Sequence, residues 1–297
     1  MLHVLLPPFA RCGHAPVLRG WLVRGDRLED AGHGYTQALA EHFRWPSGNL
    51  PAGALLRDAA CGDAGEDAWL CADPAFVQPD MTGARMLACG TLDLTATEAE
   101  ALARPLRPLY GDRGFLLELT SPARWHLRLP RDTRPPDFAA PDRVLGDDLL
   151  GYLPQGAADA AWRQLFNETQ VLLHQHPVNA ERRARGQMPV NCLWLWGGGR
   201  LPAWVKSDVE RLYSRDPLAL ALARRAQVET GGVEDFDPDD ACGDVLLDLE
   251  PGLDPLAHGP LLARGLKRHK AMQLAFASGE RVLVRRWHRW RIWRRAA

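Results

Sequence analysis

Residues 172–202, LLHQHPVNAERRARGQMPVNCLWLWGGGRLP, constrain the fold more than any other stretch of the 297-residue chain. Pro177 lacks an amide donor and restricts the residue before it, so a helix is expected to end at or near this point. A basic loop with Arg182, Arg183 and Arg185 follows, closed by Gly186 and Pro189. Cys192-Leu-Trp-Leu-Trp196 has the length and apolarity of a buried strand, and it breaks into Gly197-Gly-Gly199. A strand entering a glycine loop with Arg200 just beyond can cradle an anion on bare N–H groups. A tight turn followed by a solvated arginine produces the same pattern, because the spacing is neither a Walker loop nor GxGxxG.

The flanking segments alternate between short strands and helices. Leu2–Leu6 reads as a buried strand that stops at Pro7-Pro8, and residues 35–44 as a short helix. Residues 46–65, rich in glycine, alanine and proline, read as a loop. Strands are expected at 67–71, 75–77 and 85–89. Thr95-Ala-Thr-Glu98 is a capping box that opens a helix running to about Pro108. Residues 115–119 and 125–129 alternate by side, as in an antiparallel hairpin with one wet face. A proline-rich linker follows at 130–143. The helix over 158–176 carries a buried stripe of Trp162, Leu165, Phe166, Thr169, Leu172, Leu173 and His176. Asn167, Gln170 and His174 share a neighbouring flank, which either lines a site or is simply solvated. Further on, 208–213 and Val245–Leu247 read as strands, with a helix from Asp216-Pro217 through Arg225.

Composition excludes several function classes. Hydrophobic residues at 46%, charged residues at 25% and a net charge of −1 describe an ordinary globular chain with no global pull toward polyanions. No apolar run is long enough to span a bilayer, and the N-terminus lacks a secretory pattern, so no membrane association is expected. Six cysteines without CxxC spacing point to reduced thiols in the cytoplasm. Ten acids and no lysine or arginine lie between Arg225 and Arg264, among them Asp237-Pro-Asp-Asp240, which reads as a solvated acidic loop because EF-hand spacing is absent. The tail 281–295 reverses the sign, with seven arginines and Trp287, Trp290 and Trp293 every third residue. That interleaving suits single-stranded nucleic acid. It equally suits a terminal strand and helix that plug the core, and nucleic acid is not the expected partner. GxSxG, HExxH and zinc spacings are absent, and His174 and His176 point apart on a helix.

Several of these segments, in order, resemble one family. EDAWLCADPAF (66–76), TATEAEAL (95–102), SPARWHLRL (121–129), LLHQHPVNAERRARGQMPVN (172–191) and WLWGGGRLP are similar to successive motifs of the archaeal-type cofactor-independent phosphoglycerate mutases, in the alkaline-phosphatase superfamily. The whole chain also resembles a bacterial group of mutase-like proteins, the E-type regulators of pathogenicity factors. The resemblance implies an α/β fold: a reduced alkaline-phosphatase-like mixed-sheet core (1–65 and 203–297) with an inserted α+β lobe (66–202). It places Arg124, Asn179, Arg182 and Asn191 where the family builds or borders its phosphosubstrate site, with His176 and Trp196 in the same motif. Together with Asn167, Gln170, His174 and Arg200 they form the candidate substrate-binding set.

Departures from the family are concentrated in the catalytic parts. Leu6-Pro7-Pro8-Phe9 stands where an Asp-Gly-x-x-Asp metal motif belongs, and Leu70, Asp73 and Ala123 replace family arginine, asparagine and histidine. No counterpart of the nucleophilic serine or the C-terminal metal ligands is recognisable. The expectation is a non-catalytic regulatory protein that binds a phosphorylated metabolite or a regulatory protein partner, with no metal cofactor. An active mutase with a rearranged site, needing manganese or zinc, and a nucleic-acid-binding protein using the tail are the alternatives. On the first reading, Asn179→Ala and Arg182→Ala abolish phosphometabolite binding and leave the fold intact.

Overall fold

Leu2–Leu6 is buried at four of its five positions and becomes a central strand of a seven-stranded sheet. The computed structural model describes residues 1–291 apart from 14, 47, 80, 82, 241, 242 and 251–257. Cys242, Asp254, Trp293, Arg294 and Arg295, which belong to the cysteine set, the acidic stretch and the tail, therefore lie outside the described residues. The seven-stranded sheet belongs to a unit formed by Met1–Pro46 and Ala203–Ala297. Its order is Glu229–Gly231, Arg211–Tyr213, Val245–Asp248, Leu2–Leu6, Ala271–Phe276, Arg281–Arg285 and Asp26–Arg27. The first five strands are parallel and the last two antiparallel. Central parallel strands are covered on both faces: Val4, Leu6, Val245, Leu247, Met272 and Leu274 share one core, and Leu5 and Leu246 are buried on the other side. The helix Gly259–His269 and the strand Ala271–Phe276 were not expected from sequence.

Ser47–Pro202 forms a second unit. The expected boundary at 65/66 moves to 46/47, because residues 46–65 are not a loop: Ala52–Cys61 is a helix that packs on the sheet of this unit. Its Ala-Leu-Leu-Arg centre outweighs the flanking prolines and glycines, since alanine, leucine and arginine are strong helix formers. At the sheet's centre is a single long strand, Ala68–Pro79, which replaces the two short ones expected at 67–71 and 75–77. It pairs antiparallel with Ala84–Cys89, Arg124–Leu129 and Cys192–Arg200, and the hairpin partner Leu116–Ser121 completes five strands.

Alternation along these strands sorts the two faces. Leu70, Ala72, Leu127, Leu129, Leu193 and Leu195 point to one side, against Leu102, Leu106 and Tyr110 of helix Ala96–Gly111 and Leu165 and Leu173 of helix Ala160–His174. Each fully buried leucine there contributes roughly 2 kcal/mol. The capping box is present: Thr95 Oγ1 accepts from the Glu98 amide at 3.1 Å, and the Glu98 carboxylate accepts from the Thr95 amide at 3.0 Å.

The opposite face holds Trp69, Cys71, Asp73, Arg124, His126 and Trp196. It is polar, as the alternation requires, but it is covered rather than wet. Arg57 of helix Ala52–Cys61 is buried there, with its guanidinium on Asp63 and Glu118 at 2.5 and 2.6 Å and over the Trp69 ring.

The glycine run is a continuation of the strand, not a loop. A Cβ on Gly197 (φ +64°) would lie 2.6 Å from the Ala52 Cβ, and one on Gly53 2.8 Å from the Trp69 carbonyl oxygen. Glycine is present because helix and strand backbones touch, and a bulge between Trp69 and Cys71 absorbs the extra residue.

Candidate functional site

The strand register brings Asp73, Arg124 and Trp196 together from three strands. Cys71 opposes Trp196 on one side and His126 on the other, so the residues two positions along meet on the same face. Arg124 Nη1 donates to Asp73 Oδ2 at 2.5 Å, and Trp196 Nε1 donates to the same oxygen at 2.7 Å. The guanidinium carbon lies 5.4 Å from the Trp196 ring centroid, a cation–π arrangement. Asp73 is buried, and its Oδ1 has no hydrogen-bond partner. Burial raises its pKa to about 6, against the opposing pull of Arg124 and of the Trp196 hydrogen bond. Arg124 keeps 28% of its side chain exposed. The result is a guanidinium held by one ring, one carboxylate and the Cys71 sulfur, on a side chain that is not fully enclosed. That arrangement suits a bidentate anion such as phosphate or carboxylate.

Deeper on the same face, His126 is fully buried and bonded through Nδ1 to Thr120 Oγ1 at 2.6 Å. Burial, reinforced by Arg124 and Arg57, lowers its pKa to about 3, so it is neutral. The nearby thiols are unreactive for the same reason, since burial raises Cys71 to about 12.

The remaining sequence-derived candidates do not converge on this cluster. Pro177–Ala184 is a helix with proline at its first turn and not the expected basic loop, because proline at that position starts a helix as readily as it ends one. His176 caps it by accepting from the Val178 amide at 3.3 Å. Asn179 is buried: its Nδ2 donates to the Leu173 and Val190 carbonyls, both at 2.6 Å, and its Oδ1 accepts from the Val190 amide at 2.8 Å. Arg182 is buried too, donating to the carbonyls of Met188 at 2.9 Å and Leu92 at 2.5 Å and to Glu98 Oε2 at 3.1 Å. Asn191 closes a reciprocal pair with the Val77 backbone at 2.8 and 2.6 Å. These three side chains have their hydrogen bonds inside the protein. Asn167 and His174 are exposed and Gln170 half-buried on the outer flank of their helix. Arg200 is exposed and donates to the Arg131 carbonyl at 3.0 Å.

Spacing alone does not single out Asp73 as a site residue, although the alternation of WLCAD carries the signal: a carboxylate on the same side as Trp69 and Cys71 is buried with them. Nor does it single out Asp248, the last residue of the apolar strand Val245–Asp248. It lies at the carboxyl edge of the parallel sheet, where open α/β sheets place their ligands. Its Oδ2 accepts from the Tyr35 and Ser214 hydroxyls, both at 2.6 Å, and its Oδ1 from the Glu250 amide at 3.2 Å. Burial raises its pKa to about 6 despite those donors. Three donors aimed at one carboxylate are the reverse of the oxygen-rich or nitrogen-rich shell that a manganese or zinc ion requires. Among the described residues, no group of three or more histidine, cysteine, aspartate and glutamate side chains is placed to hold a metal ion. Also among them, no helix is long and apolar enough to cross a membrane.

Comparison with known proteins gives partial matches. No protein family's sequence profile matches the chain. A probable 2,3-bisphosphoglycerate-independent phosphoglycerate mutase of Geobacter sulfurreducens is 36% identical over 62 residues, 21% of this chain and 16% of that one. The 2,3-bisphosphoglycerate-independent phosphoglycerate mutase of Methanosarcina mazei gives the same figures, and that of Methanosarcina barkeri is 30% identical over 79 residues, 26% and 20% of the two chains. The matched stretch thus spans only 16 to 20% of the length of these relatives, and over it the chain is mutase-like. Among solved structures, the cofactor-independent phosphoglycerate mutase of Thermoplasma acidophilum is 14% identical, with a TM-score of 0.37 over 95% of this chain and 88% of that one. The PH0037 protein of Pyrococcus horikoshii is 12% identical, with a TM-score of 0.41 over 96% and 86%.

Proposed function

We propose that this chain is a mutase-like regulatory protein of the cytoplasm that binds a phosphorylated metabolite, or an anionic group of a protein partner, without transferring phosphate. The observation that carries the reading is Arg124, its guanidinium over the Trp196 ring and paired with Asp73 and its side chain still partly exposed. Of the four residues that the family resemblance assigns to the phosphosubstrate, Arg124 is the one whose side chain is partly exposed and whose described hydrogen bonds go to side chains and not to the backbone. Phosphoryl transfer in metal-dependent enzymes rests on positioned cations and a nucleophile. The caging of Asp248 by hydroxyl and amide donors supports a chain that works without that machinery.

Asp73 acts as a built-in competitor for Arg124. A ligand oxyanion gains most when Asp73 is protonated, so affinity is expected to rise as pH falls through about 6. Phosphate esters titrate in the same range, so a sulfate ester, whose charge is constant, is the cleaner probe. The test is thermal stabilisation by 3-phosphoglycerate and its sulfated analogue, in the wild type and in Arg124→Ala. A shift that disappears in the variant supports the site, and one that persists overturns it. Mutase turnover in added manganese would replace this reading with the enzymatic one.

A further inference from the structure

We propose that the surface formed by residues 286–291 binds single-stranded nucleic acid, independently of Arg124. Arg286–Trp290 is a short 3₁₀ helix. Residues three apart eclipse in that geometry, so Trp287 and Trp290 form one row and Arg286 and Arg289 a second, with roughly 6 Å between successive members. Trp287 is 52% exposed and Trp290 66% exposed, far more than indoles placed to fill a core. The sequence pattern left open whether these tryptophans plug the core; the two described ones do not. Arg291 lies over the Trp287 ring at 4.4 Å and Arg289 over the Trp290 ring at 4.9 Å.

The turn is anchored from behind by one carboxylate. Asp26 receives Arg285 at 2.9 Å, lies 3.3 Å from the buried His288, and pairs with Arg291 at 2.5 Å. Its charge is thereby occupied on the inner side, which leaves Arg286 and Arg289 facing out. The arginine row of the same turn borders a cleft of about 140 Å³, which neither Trp287 nor Trp290 lines. Trp21 and Leu266 help to floor it, Arg24, Arg286 and Arg289 rim it, and no acidic residue lines it. That is well under the roughly 300 Å³ of a site that takes a whole small molecule, and it suits one ring of a longer chain.

Stacking platforms alternating with guanidiniums are the chemistry that holds unpaired bases and their phosphates. A duplex keeps its bases stacked on one another and cannot use the indoles. A membrane-surface element presents a continuous apolar face to the lipid. Here each exposed indole carries a guanidinium across its ring, and arginine holds the alternate row. With a net charge of −1 on the whole chain, attraction is local, so binding is expected to be modest and strongly salt-dependent.

The test is fluorescence anisotropy of the full chain with a labelled mixed-sequence single strand of about 12 nucleotides, within the range that single-strand-binding folds cover. Affinity is expected to fall about twentyfold between about 50 and about 200 mM salt, the slope that release from three phosphates produces. Trp287→Ala and Trp290→Ala are each expected to weaken binding about tenfold. Both side chains are exposed, so melting temperatures stay unchanged, whereas Arg124→Ala leaves oligonucleotide affinity intact. Equal affinity for the matching duplex, or no effect of either tryptophan, overturns the proposal. So does binding to phosphatidylglycerol vesicles without binding to the oligonucleotide.

Discussion

Two arginines of one unit, both placed by sequence motif at the same expected substrate site, have opposite surroundings. Arg182 is buried, and its guanidinium is shared among two backbone carbonyls and Glu98. Arg124 rests on an indole and one carboxylate and keeps part of its side chain in solvent. A motif fixes which residues recur together, but accessibility decides whether they hold a ligand or hold the chain. The HPVN segment is a brace: Asn179 ties the end of helix Ala160–His174 to Val190, just before the strand Cys192–Arg200. The Asp73–Arg124–Trp196 cluster is the part of the resemblance with chemistry left over.

The largest expected effect is that of Arg182→Ala. Removing it leaves two buried carbonyls unpaired and a cavity, and takes from Glu98 one of its two arginine partners, at a cost of about 3–5 kcal/mol. Urea denaturation should show a collapse of the midpoint or no folded protein at all. A variant with an unchanged midpoint and lost ligand binding would restore Arg182 to the ligand site and break the contrast. Asn179→Ala comes next. It leaves the Val190 carbonyl and amide unpaired in the interior, for about 2–3 kcal/mol, while the Leu173 carbonyl keeps the His176 amide. The earlier expectation that both changes spare the fold is replaced by this one.

Arg124→Ala is expected to cost less stability than either, and its cost should depend on pH. Without its partner, Asp73 resists ionisation further, so denaturant midpoints of the variant should approach the wild type near pH 5 and fall behind near pH 8. Asp73→Asn isolates the carboxylate itself. Its folded pKa of about 6 lies above the ordinary aspartate value of 3.8, so its contribution is fully present below about pH 4 and is lost as pH rises through 6. The difference between Asp73→Asn and wild type should therefore move in favour of the variant across that window.

His126 carries the opposite sign, with its effect confined to acid pH. Its folded pKa of about 3 lies below the ordinary 6.5, so its contribution is present above 6.5 and is lost as pH falls toward 3. His126→Gln should flatten the acid limb of the stability profile below pH 6.5. An unchanged limb would mean that another group governs acid unfolding, with His42, also lowered to about 3 by burial, the first to examine.

Elements that follow strict periodicity were legible. Leu2–Leu6, the Thr95 capping box, the 116–129 hairpin and the helix after Asp216 form as their patterns require. Elements whose local signals conflict were not. Ala52–Cys61 sits between proline and glycine punctuation, and Gly197–Gly199 reads as a turn unless the helix packed against it is known. The site was half legible, through Arg124 and Trp196. Asp73 and Asp248 required burial to be known, because a lone acid at a strand position reads as solvent-facing until its neighbours are in place. Asn179, Arg182 and Asn191 were legible as residues that matter. Their backbone partners lie up to 114 positions away, beyond what spacing can show.

Glu98 closes the capping box of its own helix and, from the same carboxylate, receives Arg182 and Arg185 more than 80 residues later. In kinetic terms it is a local signal that becomes a long-range one. The helix start can form early, on contacts three residues apart, whereas the arginines can arrive only after the strands between them have paired. Mutations at Thr95 should then slow folding, and mutations at Arg182 should mainly hasten unfolding.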